Sequence, residues 1–134
     1  MIFSKFNLNR LINRCDIMDQ EVMDVFLDEF TDMTNILDKE INKYPSKNIG
    51  VNEIFRVFHT LKGNSATIEY FRLHYLTNYY CEYFRPKQKE STLSEKEYIA
   101  LIRCLKTLRL FNQRIKNGKK GKTIKIKPIM KALT

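Results

Sequence analysis

Residues 51–68 read VNEIFRVFHTLKGNSATI, and this stretch does most to decide the fold. Its inward-facing residues return at helical intervals on one side, which holds Ile54, Val57, Phe58, Leu61 and Ser65. His59 lies at the edge of this stripe, so we expect its imidazole to reach solvent. Lys62 and Gly63 follow one turn later, about 60° and 40° to either side of His59. The stretch predicts an amphipathic helix that presents His59 at its edge.

A longer amphipathic helix is predicted upstream, over about residues 19–44. Its apolar residues recur at steps of three or four and form one face, comprising Val22, Phe26, Phe30, Met33, Leu37 and Ile41. Asp16 or Asp19 is expected to cap its start, and Pro45 to close it. The composition of residues 45–50 predicts a turn before the second helix.

Two more helices are predicted downstream. The third covers about residues 70–84 and ends before Pro86. The fourth begins with a capping box, in which Ser94 caps the helix and Glu97 stands at its third position, and it stops at Gly118. Short connections between four amphipathic helices predict an all-α, antiparallel up-and-down four-helix bundle over residues 16–117.

The two flanks differ from the bundle in composition. Residues 1–15 contain basic and apolar residues without an acid, which faintly resembles a transit peptide or a membrane-surface helix. We favour an N-terminal extension that forms a short helix on the domain or a frayed end. Residues 118–134 alternate lysine with apolar residues. Because no partner strand is predicted, we interpret them as a basic extended tail or linker.

The formal net charge of +9 is unevenly distributed. From Arg114 onward there are eight basic residues and no acid, whereas residues 16–40 hold nine carboxylates and the single basic Lys39. A basic face interleaved with aromatic residues would indicate nucleic-acid binding, but a terminal basic run is more typical of a linker. We therefore expect no nucleic-acid partner. A third possibility is that the tail tethers the domain to a nucleic acid or an anionic surface.

Composition excludes several other classes of protein. Apolar residues make up 43% of the chain, which argues against disorder, and no apolar run is long enough to cross a bilayer. The three cysteines are widely spaced without a CxxC motif, which predicts reduced thiols in a cytoplasmic protein. No glycine-rich phosphate loop is present, so we expect no ATPase activity.

His59, Lys62 and Gly63 suit the transfer of a phosphoryl group. A neutral imidazole is a nucleophile at physiological pH, so His59 can accept the group. Lys62 can neutralise part of its charge, and Gly63 leaves room for a partner to approach closely. A glycine inside a helix costs about 1 kcal/mol relative to alanine, which itself suggests a role for Gly63. For His74 and Cys81 we favour structural roles, because no ligand set or third catalytic group accompanies them.

The run from Ile54 to Ala66 resembles the histidine phosphotransfer (HPt) signature, in which the phosphorylated histidine is followed by lysine and glycine at the third and fourth positions. The similarity covers about residues 16–117, and it is strongest to the N-terminal HPt domain of chemotaxis-type histidine kinases. This resemblance implies a four-helix bundle whose exposed His59 accepts phosphate from a histidine kinase and passes it to a receiver-domain aspartate.

The third helix departs from that pattern. Chemotaxis-type members carry a histidine and a glutamate where this chain has Asn78 and Cys81, and their glutamate orients the imidazole. Glu82 is one residue further on and should point about 100° away from the Cys81 direction. The Gly-Phe pair that usually opens this helix is Glu69-Tyr70 here. These departures weaken the assignment as a kinase substrate more than the assignment as a phosphate carrier.

Two functions therefore remain open. The first is a non-enzymatic phosphocarrier of a chemotaxis-like two-component phosphorelay, monomeric and without cofactor or metal, with a histidine kinase and a receiver domain as partners. It could stand alone or begin a longer kinase, in which the lysine-rich tail would start a linker. The alternative is a degenerate HPt-like module that docks a receiver or kinase without carrying phosphate.

Overall fold

The computed structural model describes residues 16–119 and 121–134. Within them the chain forms five helices, which are α1 (Asp16–Ile41), α2 (Val51–Thr67), α3 (Phe71–Phe84), α4 (Glu95–Lys116) and α5 (Lys127–Lys131), with a 3-10 turn at Arg85–Lys87 after α3. Helix α1 packs against α2 and α4, and α2 packs against α3. The predicted all-α four-helix bundle is confirmed. The predicted N-terminal extension, residues 1–15, lies outside the described residues.

The core lies between the four long helices and contains the side chains that the periodicity predicted. Those that are almost completely buried include Phe26, Phe30 and Leu37 of α1, Ile54, Phe58 and Leu61 of α2, Leu73 and Tyr80 of α3, and Leu108 and Phe111 of α4. Burial of an aliphatic or aromatic side chain of this size contributes about 1.5–3 kcal/mol, so these residues fix the relative positions of α2 and α3.

The helix boundaries follow local chemistry. At α4 the hydroxyl of Ser94 accepts from the backbone N–H of Glu97, whose carboxylate accepts from the N–H of Ser94, so the predicted capping box is confirmed. Glu69, at the corner between α2 and α3, has a φ of 61°. This left-handed conformation costs a non-glycine residue about 1–2 kcal/mol, and it explains why a glycine would suit the corner.

The C-terminal residues correct the prediction of an extended tail. Residues 121–134 fold back over α3 and α4, and α5 packs against both helices. Their apolar side chains, Ile124, Ile126, Ile129 and Leu133, are buried. The segment is also held by its backbone, since Arg72 donates to the carbonyl of Ile124 and the Tyr80 hydroxyl lies 2.7 Å from that of Ile129. The lysines obscured this pattern because they alternate with isoleucines that cover the bundle.

Candidate functional site

His59 is exposed on α2, as its position at the edge of the apolar stripe predicted. One turn earlier lies the buried ring of Phe55, whose centroid is 5.7 Å from that of the imidazole, with an angle of 23° between the planes. Among the described residues, no group hydrogen-bonds to either imidazole nitrogen. The ring is therefore positioned by stacking, and neither nitrogen is blocked by a hydrogen bond from these residues.

Charged side chains from α2 and the end of α3 surround this histidine. The Nζ of Lys62 is 3.9 Å from Oε1 of Glu82, and Nε of Arg85 is 3.0 Å from the other carboxylate oxygen. The Arg85 guanidinium also lies over the Phe55 ring, 5.2 Å from its centroid. The hydrogen bond from Arg85 lowers the pKa of Glu82, so this carboxylate is ionised at neutral pH.

Gly63 is exposed, and a Cβ atom built on it would meet no atom within 4 Å apart from its neighbours in the helix and chain. The helix itself gives no steric reason for glycine at this position, and glycine weakens a helix by about 1 kcal/mol relative to alanine. We call His59, Phe55, Lys62, Gly63, Glu82 and Arg85 together the His59 surface.

Two polar contacts anchor α2 beneath this surface. The side-chain amide of Asn64 donates to the buried carboxylate of Glu29 on α1. Nδ1 of His74 on α3 lies 3.1 Å from the backbone carbonyl of Lys62. His74 is partly buried by this contact, which fits the structural role we predicted for it. Because these partners come from two different helices, they fix both the position and the rotation of α2.

The substitutions on α3 have a clear structural outcome. Cys81 is buried, and burial raises the pKa of its thiol, while Glu82 is exposed, so the two side chains diverge as predicted. The carboxylate of Glu82 consequently meets Lys62 and Arg85 and does not hydrogen-bond to the imidazole. Sequence analysis missed Arg85. The available signal was its spacing, three residues after Glu82 and directly before the helix-ending Pro86.

The residues that the structure describes contain no group of three or more His, Cys, Asp or Glu side chains that could hold a metal ion. No described helix is sufficiently long and apolar to cross a membrane. The chemistry of the His59 surface is therefore that of an imidazole, two cations and one carboxylate.

Comparison with known proteins gives a family and one relative. The profile of the Hpt domain family matches residues 21–111, which is more than half of the chain. The chemotaxis protein CheA of Borreliella burgdorferi is 34% identical over 61 residues. That alignment covers 43% of this chain and 7% of the relative, so the chain corresponds to a small part of that protein. No solved structure matches.

Proposed function

The chain belongs to the Hpt domain family, and on that premise we propose that it is a histidine phosphocarrier whose phosphorylated residue is His59. The observation that carries this proposal is the imidazole itself, which is exposed and accepts no hydrogen bond from the described residues that would occupy its nucleophilic nitrogen. A histidine kinase and a receiver domain are the proposed partners, and the cytoplasm is the proposed location.

In the proposed reaction, an imidazole nitrogen of His59 attacks the γ-phosphorus of ATP bound to the kinase. The P–N bond forms as the P–O bond to ADP breaks, and the imidazole proton is released. A receiver aspartate then attacks the phosphorus, so that the P–N bond breaks and the imidazole recovers a proton. The kinase and receiver supply the metal ions and most of the catalysis.

The neighbouring residues have separate proposed roles. Lys62 lies one turn from His59 and stabilises the charge of the transferring group. Gly63 leaves open space in which a partner's active site can close over the histidine. Glu82 now balances Lys62 and Arg85, so a phosphoryl group on His59 would compete with this carboxylate for both cations.

A second candidate function is docking without phosphate transfer. It is favoured by the burial of Cys81, because the glutamate expected at this position from chemotaxis-type relatives is absent and no other described carboxylate hydrogen-bonds to His59. Such a module would bind a receiver or a kinase through the same surface.

Phosphorylation of the two histidines separates these functions. The protein is incubated with ATP and a chemotaxis-type kinase that lacks its own phosphotransfer domain, and in parallel with phosphoramidate, which phosphorylates histidine without a kinase. We expect an acid-labile, base-stable phosphoprotein that transfers its phosphate to a receiver domain. His59→Gln should abolish it, whereas the matched control His74→Gln should retain it. Label that persists in His59→Gln would exclude the proposed site, and receiver binding without any label on the wild type would support the docking module.

A further inference from the structure

A second surface lies between α3 and the C-terminal segment. A cavity of about 440 Å³ opens there, with Arg72 and Tyr75 on one wall and residues 125–128 and Met130 on the other. A second cavity, of about 290 Å³, is lined by residues 69–72 and Lys122, so both cavities use Arg72. We call this pair of cavities the C-terminal groove.

The groove has an unusually apolar interior for a surface feature. Tyr75 is 61% exposed and Phe71, one turn earlier on α3, is 60% exposed, which makes them the two most exposed large hydrophobic side chains of the described residues. Ile126, Pro128 and Met130 complete the apolar wall opposite Tyr75. An apolar cavity beside two exposed aromatic rings favours the binding of an alkyl or aryl group. The adaptable side chain of Met130 suits such a contact.

The rim of the groove is strongly basic. Lys122, Lys125 and Lys127 are exposed around it, and Arg72 stands between the two cavities. The single acid among the lining residues is Glu69. This arrangement gives the apolar interior a positively charged border, which favours an acidic partner.

Charge and shape distinguish the possible occupants. Residues 1–15 carry basic residues and no acid, so they do not complement this rim. The α1 helix of a second copy offers exposed acids, but the apolar residues of that helix are buried in its own core. A nucleic acid would match the charge, but the wall formed by Tyr75, Ile126, Pro128 and Met130 offers few groups that could pair with the polar edges of a base.

We propose that the C-terminal groove docks an acidic segment of another protein, which inserts an apolar side chain between Tyr75 and Met130 while its carboxylates face Lys125 and Lys127. This binding is independent of the phosphocarrier function, since none of the residues of the groove belongs to the His59 surface.

The probe for this proposal is a displayed library of short random peptides, selected on the full chain. We expect the selected peptides to place Asp or Glu around a Leu, Phe or Trp. The charge reversal Lys125→Glu/Lys127→Glu should weaken their binding by about tenfold or more, and Tyr75→Ser should weaken it independently. The matched control Lys47→Glu/Lys106→Glu makes the same change of net charge at exposed positions remote from the groove and should have little effect.

Each other outcome would overturn the proposal. Failure to enrich acidic peptides, or equal loss in the control variant, would show that the groove does not select them. Tighter binding of single-stranded oligothymidylate that is lost in Lys125→Glu/Lys127→Glu would assign the groove to nucleic acid. Self-association that is lost in the same variant would assign it to a second copy. His59→Gln should leave peptide binding unchanged, so failure of the phosphocarrier proposal stays distinguishable from failure of this one.

Discussion

The His59 surface and the C-terminal groove both use α3, but they are assembled from different parts of the chain. His59, Lys62 and Gly63 belong to one turn of one helix, whereas the groove joins residues 69–75 to residues 122–130. The first surface therefore needs only that α2 be helical, and the second requires that the C-terminal segment pack against the bundle. Local spacing was sufficient to find one and insufficient to find the other.

Two glycines show the same contrast. A Cβ at Gly63 would meet nothing within 4 Å, whereas Gly121 has a φ of +69° and its Cβ would lie 2.8 Å from the ring of Phe111. The fold itself requires glycine at 121. At position 63 the cause must be sought in what approaches the helix, which is how we interpret Gly63 in the proposed function.

The largest expected effect is on the packing of the C-terminal segment. Ile124→Ala removes a buried side chain and should lower the free energy of unfolding by about 2–4 kcal/mol, measured by urea denaturation. The milder control Ile124→Val should cost about 0.5–1.5 kcal/mol. Phosphorylation of the folded fraction should be unchanged, and a parallel loss would show that the two surfaces are coupled.

The glycine contrast can be tested by the same substitution at both positions. Gly121→Ala should destabilise the protein by about 1–3 kcal/mol, because the left-handed backbone and the Phe111 ring both oppose a Cβ. Gly63→Ala should raise the free energy of unfolding by up to about 1 kcal/mol while slowing phosphotransfer to the receiver. Thermal unfolding and transfer kinetics provide the two measurements. If Gly63→Ala transferred phosphate at the wild-type rate, the close approach of a partner would be refuted.

Alkaline pH should loosen the C-terminal segment. Burial raises the pKa of Tyr80, whose hydroxyl lies 2.7 Å from the carbonyl of Ile129, and burial likewise raises the pKa of Tyr83 to about 12. Because the folded pKa is above the unfolded value of about 10, the stabilisation is complete below about pH 10 and is lost as the pH rises further.

The variant Tyr80→Phe isolates this contribution. It should cost about 1–2 kcal/mol at neutral pH through the lost hydrogen bond, and it should flatten the decline in stability above about pH 10. Urea denaturation across this pH range makes the measurement, with Tyr75→Phe as a control at an exposed position. An alkaline decline that is identical in Tyr80→Phe and wild type would show that Tyr80 does not contribute to it.

The smallest expected effect concerns the orientation of the imidazole. Phe55→Leu removes the ring that stacks on His59 and should slow phosphorylation about three- to tenfold, which corresponds to the 0.5–1.5 kcal/mol typical of an aromatic pair. Phe111→Leu is the matched control, since it makes the same change in the core at the other surface. Equal phosphorylation rates in the two variants would contradict positioning by Phe55.

Much of the fold could be predicted from particular residues. The capping box at Ser94, the breaks at Pro45 and Pro86, and the spacing of Ile54, Phe58 and Leu61 act over one or two turns, so they are visible in the sequence. The exposure of His59 followed from the same periodicity. The contacts of Arg85 with Phe55 and Glu82 were harder to predict, because they depend on the height at which α3 passes α2.

The sequence by itself determined the four helices, their amphipathic faces and the histidine with its lysine and glycine, since all of these depend on residues a few positions apart. Only the tertiary structure decided that Glu82 meets Lys62 and that the basic C-terminal residues cover the bundle. Charge patterning described the exposed lysines of residues 122–131 correctly, but the buried isoleucines between them decided the conformation, because apolar burial on α3 and α4 is a long-range interaction that no local pattern reports.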